Sequence, residues 1–65
     1  MMIHTDTVQA LTSLPATDLN FMSCLKGATD LQIEMAIEVM RNREGNDKSR
    51  IAACERELKR MAQNG

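Results

Sequence analysis

The side chains able to do chemistry in this 65-residue chain are few and scattered: one histidine, His4, and two cysteines, Cys24 and Cys54. A tetrahedral zinc site needs four ligands of this kind, so no metal is expected from a single copy. The cysteines are thirty residues apart and sit at apolar positions of predicted helices, where a thiol acts as a small buried hydrophobe. His4 lies near a chain end that frays readily, a poor place for a general base. The three glycines are isolated, so no Gly-rich loop is there to cradle a phosphate. A chain this short has little room for the enclosed pocket of ~300 Å³ or more that small ligands prefer. No enzyme, cofactor or small-molecule substrate is expected.

Charge offers a different kind of site. Eight Lys+Arg against nine Asp+Glu give a net charge of −1, so the chain as a whole is no polycation. The distribution is uneven: residues 1–40 hold one Lys and five acids, a net of −4, and residues 41–65 hold seven basic and four acidic groups, a net of +3. On the last predicted helix Lys48, Arg56, Lys59 and Arg60 share an arc of about 120°, roughly opposite its apolar stripe. They form either a phosphate-facing surface or a solvated helix face with cations suited to a C-terminus, and Glu55 and Glu57 dilute the cluster.

Gly27, between a short and a longer helix, also invites a helix-turn-helix, with Met22, Ser23, Ala28, Ile33 and Ala36 at packing positions. Lys26 fits that pattern less well. The would-be recognition helix presents Asp30, Glu34 and Glu38, which would face a groove lined with phosphates, and has no Arg or Lys before Arg41. If nucleic acid is bound, the basic last helix is the better candidate, as a backbone contact without base readout.

Composition bounds the rest. No apolar run approaches the ~20 residues a membrane span needs, and no secretory signal is expected. Two cysteines are too few for a disulfide framework, so a cytoplasmic setting is expected. With 43% apolar residues and only four Pro and Gly, the chain is not composed like a disordered one. A ~60-residue chain buries only ~60% of its unfolded surface, and this one has a single Phe and neither Trp nor Tyr. Self-association, most simply a dimer, is the expected support for so small a core.

Four helices must position these residues. Thr5-Asp6, Thr17-Asp18 and Thr29-Asp30 recur every twelve residues, each a Thr cap with an Asp just inside it, and Gln32 completes a capping box with Thr29. Twelve residues is too short for a solenoid unit, so these are three helix starts. Leu14-Pro15 ends the first helix; Gly27 and Gly45 are placed to end the second and third; Asn46-Asp47 offers a fourth cap. The predicted helices are about 6–13, 18–26, 30–44 and 48–63, in a single domain over 1–65. Nothing alternates with period two, so no strand is expected.

The third helix is apolar over about two-thirds of its wheel, leaving only Glu34, Glu38, Arg41 and Asn42 as a polar face. Ile51, Cys54, Leu58 and Met61 form a narrow stripe on the fourth, and Glu55 to Lys59 is a favourable i,i+4 pair. Met22 and Met40 are expected as core filler, while Met35 and Met61 suit either core or surface.

The expected fold is all-α: two short N-terminal helices packed on a longer antiparallel helical hairpin, in a homodimeric bundle. The expected function is that of a small non-enzymatic protein-interaction module, a regulator, inhibitor or adaptor. Its size and helix content are frequent among accessory proteins of phages and other mobile elements. Leu31, Met35 and Val39 are the expected interface row, with Ile51, Leu58 and Met61 as the alternative seam. The competing expectation is a nucleic-acid-associated regulator using Lys48, Arg56, Lys59 and Arg60.

Overall fold

A computed structural model describes the backbone of 3–64 and the side chains of 7–63. The chain forms α1 (Ile3–Ser13), α2 (Leu19–Gly27), α3 (Asp30–Arg41) and α4 (Lys48–Asn64), with no strand among the described residues. The side chain of His4 and those of the Thr5-Asp6 pair lie outside the described residues, as do Met1 and Met2.

Local signals account for most of the helix ends. α1 stops at Ser13, just ahead of Leu14-Pro15, and the Asp18 N–H donates to the Pro15 carbonyl at 3.0 Å to turn the chain. At its other end α1 begins at Ile3, ahead of the Thr5-Asp6 pair expected to cap it. In α2 the cap is Asp18 rather than Thr17: its carboxylate accepts from the Asn20 N–H at 2.8 Å. α3 opens with the expected capping box, the Gln32 N–H donating to Thr29 Oγ1 at 3.2 Å and the Thr29 N–H to Gln32 Oε1 at 3.0 Å.

Two of the expected glycine stops differ in form. Gly27 is the last residue of α2, yet its backbone is not left-handed, and the cap residue Ala28 is extended. α3 ends at Arg41, with Asn42 as its C-cap, three residues short of the expected 44. Leaving the helix there frees Arg43 to reach Asp47 and α1, and Gly45 then turns the chain at φ 154°, a conformation that disfavours a side chain.

All four helices feed one core. Leu11 of α1, Phe21 of α2, Ile33 and Met40 of α3 and Cys54 of α4 are each 2% exposed or less. α1 packs chiefly on α3 and also on α2, while α4 packs on α3 and touches α2 more lightly. Val8, Leu14, Ile37, Ile51, Leu58 and Met61 are half-buried around that centre. Each helix contributes apolar side chains that only the others can cover, which makes the unit cooperative.

Gly27 is exposed, its backbone is helical, and a methyl group there would meet nothing within 4 Å. Gly27→Ala should therefore raise stability by about 0.5–1 kcal/mol in urea unfolding, by restricting the unfolded chain and favouring the last turn of α2.

Candidate interaction surface

Alternate turns of α3 sort its side chains into three strips. Ile33, Ala36 and Met40 are sealed in the core, while Leu31, Met35 and Val39, one per turn, are 63%, 49% and 44% exposed. Asp30, Glu34 and Glu38, also exposed, form a carboxylate strip between that apolar row and α4. The wide apolar surface of α3 thus meets α1 and α4 on its inner sides and still leaves one row in solvent.

Beside the acidic strip runs an open groove of about 400 Å³, floored by Ile37 and Leu58 and walled by Glu34, Glu38, Arg41 and Glu55. Arg41, the last residue of α3, forms an ion pair with Glu55 across it. Glu55 therefore meets Arg41, not the expected Lys59. Toward the other end, Asp30 and Glu34 share a second depression with Leu58, Met61 and Ala62. Ile51, Leu58 and Met61, the alternative seam, are half-buried against the chain's own core, with Cys54 at their centre wholly buried.

The outward arc of α4 carries Lys48, Arg56, Lys59 and Arg60, all exposed. Arg60 is held by Glu57, its Nε donating at 3.1 Å. That bond keeps the Glu57 carboxyl below its ordinary value and the Arg60 guanidinium above its own. Lys48, Arg56 and Lys59 make no ion pair among the described residues.

A polar cluster invisible to helix-wheel reasoning sits where the α3–α4 connection meets α1. Asp47 is only 5% exposed. Its Oδ2 accepts from Arg43 Nε at 2.9 Å, and its Oδ1 accepts from Arg43 at 2.9 Å and from Arg50 Nε at 3.2 Å. The same guanidinium groups continue outward: Arg43 donates to the Thr12 carbonyl, and Arg50 to the Leu14 carbonyl at 3.1 Å. Hydrogen bonds from Arg43 and then Arg50 hold the Asp47 carboxyl well below the ordinary carboxylate range, against the opposing effect of burial. Asp47 does stand immediately before α4, as expected of a cap, with the Ile51 N–H on its backbone carbonyl at 2.9 Å. Its side chain, however, serves the two arginines. The Arg-x3-Asp-x2-Arg spacing of 43, 47 and 50 was the one available signal for this cluster.

The cysteines are both unpaired. Burial, and then the nearby Glu55 charge, push the Cys54 thiol up to about 11, as suits a core hydrophobe. Met40 is core filler as expected; Met22 is not, being 46% exposed, and Leu19 beside it on α2 is 80% exposed. Among the described residues no three His, Cys, Asp or Glu side chains gather to hold a metal, and no helix is long and apolar enough to cross a membrane. Compared with protein-family models, with curated proteins and with solved structures, the chain finds no match in any of the three.

Two measurements check this geometry. The native Asp47 carboxyl titrates below its ordinary 3.8, so its stabilisation is complete above that pH and drains away as the pH falls through the lower native value. Asp47→Asn should therefore lower the unfolding midpoint by roughly 5–10 °C at neutral pH, with the gap to the parent narrowing in acid. A gap that stays constant as the solution is acidified would contradict the assignment. In mildly alkaline iodoacetamide the partly exposed Cys24 should be alkylated first, and Cys54 only at the rate of unfolding, as read by mass spectrometry across urea concentrations.

Proposed function

We propose that this chain is a small non-enzymatic protein-interaction module that acts by binding through the outer face of α3. One observation carries the proposal: Leu31, Met35 and Val39 lie in a single row and are 44–63% exposed, on a helix whose core positions are 0–2% exposed. Three large apolar side chains, each already about half covered, would gain on the order of 1 kcal/mol each when fully covered, and a partner is the means of covering them. Two of the three are a methionine and a leucine, flexible side chains that adapt to a partner's surface. In this proposal α3 and α4 are an antiparallel hairpin, a layout supported by Arg41 meeting Glu55 at one end and Asp30 lying near Met61 at the other. The hairpin presents the row on a rigid element rather than on a loop.

A second reading is kept because Lys48, Arg56 and Lys59 are exposed on one arc without ion-pair partners among the described residues: a nucleic-acid-associated regulator using that face, with Arg60 beside it. The two readings separate in one experiment. Tagged chain is used to capture partners from its native host's lysate, half of it nuclease-treated, with Met35→Asp/Val39→Asp in parallel and circular dichroism to confirm helicity. The module predicts a nuclease-resistant, stoichiometric protein that the folded double variant loses at least ~tenfold. Capture that vanishes with nuclease, or a protein the double variant keeps, sinks it.

A further inference from the structure

The outer surfaces of α3 and α4 carry opposite charge, and we propose that two copies of this chain stack through them, α3 of one copy lying on α4 of the other. The proposal rests on the reading of the α3 outer face as an interface and names its occupant.

The residues follow from the helix geometry. At about 100° per residue, the side of α3 opposite Ile33, Ala36 and Met40 carries Leu31 and Glu38, flanked by Met35 and Glu34. The side of α4 opposite Cys54 carries Ala52, Lys59 and Arg56. All of these are exposed. Between the two helices lies the groove floored by Ile37 and Leu58. The outer face of the pair is therefore carboxylate and apolar on one helix and cationic with a small residue on the other, with a seam that is apolar at its floor and bridged by the Arg41–Glu55 ion pair. Glu34, Glu38, Arg56 and Lys59 have no ion-pair partner among the described residues. Their charges remain free for a second molecule.

Symmetry then decides the pairing. Two copies of a two-helix face can stack about a two-fold axis lying in the interface in two ways. An axis across the helices puts α3 on α3 and α4 on α4, which sets carboxylates against carboxylates and cations against cations. An axis along the helices puts α3 on α4 twice over, every strip against its opposite. The second arrangement is isologous and closes as a dimer. The levels also agree. Arg41 pairs with Glu55, and Glu34 lies near Leu58, so Arg56 and Lys59 of one copy stand level with Glu38 and Glu34 of the other. The lysine and arginine stems can lie over Leu31 and Met35 while their charged ends reach the carboxylates, and Ala52 leaves room for that approach.

The test uses purified full-length chain in sedimentation velocity. The parent should dimerise at ~0.05 M NaCl, with association weakened at least ~tenfold at ~0.5 M. Glu34→Lys/Glu38→Lys should be monomeric, and so should Arg56→Glu/Lys59→Glu. An equimolar mixture of these two variants should dimerise again, and so should one chain bearing all four substitutions, because each arrangement restores unlike charges at both contacts. Circular dichroism checks that each variant is folded. If a reversed pair unfolds, the neutral pair Glu34→Gln/Glu38→Gln replaces it, with an expected loss of at least ~tenfold in association. A monomeric parent, a dimer indifferent to salt, a reversed variant that still dimerises alone, or a folded mixture that stays monomeric would each overturn the stacking. A monomeric parent whose tagged form still captures a protein through Met35 and Val39 would overturn self-stacking and leave the α3 interface standing.

Discussion

Asp47 accepts hydrogen bonds from Arg43 and Arg50, and those two side chains carry the contact on to the Thr12 and Leu14 carbonyls at the end of α1. A carboxylate that is 5% exposed is tolerable only because it is paired on both oxygens. The arginines it holds donate in turn to the carbonyl of Thr12, in the last turn of α1, and to that of Leu14 just beyond it, groups that a helix end otherwise leaves without donors. The connection between α3 and α4 is thereby tied to the far end of the chain's first helix. The stop of α3, the start of α4 and the end of α1 all meet at that tie.

The core that this arrangement encloses is small and lacks aromatic bulk apart from Phe21, which is 1% exposed. Leu11, Ile33, Ala36, Met40 and Cys54 are buried with it, and Leu25 and Ala28 nearly as deeply. A chain of this length cannot enclose all of its apolar surface. What it leaves out includes a row on α3, Leu31, Met35 and Val39, and separately Leu19 and Met22 on α2. That exposed row is what the proposed interaction surface rests on. The carboxylates of Glu34 and Glu38 lie between that row and the groove.

The charge asymmetry between the two halves of the chain takes on meaning in three dimensions. Residues up to 40 are net acidic and those beyond net basic, and the fold places the two signs on neighbouring helices with outward faces on the same side. Arg41 of α3 pairs with Glu55 of α4, and Glu57 pairs with Arg60 within α4. Among the described residues Glu34, Glu38, Arg56 and Lys59 are left without ion-pair partners, and these are the charges on which the proposed stacking draws.

The sequence by itself determined the helices. Capping residues, Leu14-Pro15 and the 3.6-residue periodicity act over about four residues, a range within which the chain meets only itself. Thr29 with Gln32 and the stop before Pro15 were legible for that reason. The one-per-turn spacing of Leu31, Met35 and Val39 was legible too, because spacing is local. Tertiary structure decided which apolar strip of α3 is inside and which outside, since two strips of similar hydrophobicity differ only in what packs against them. It decided that Met22 lies at the surface, that α3 yields its last turn to Arg43, and that the Asp47 side chain serves two arginines. These outcomes depend on α1, more than thirty residues away along the chain from Arg43, and no local pattern encodes a partner that only folding brings near.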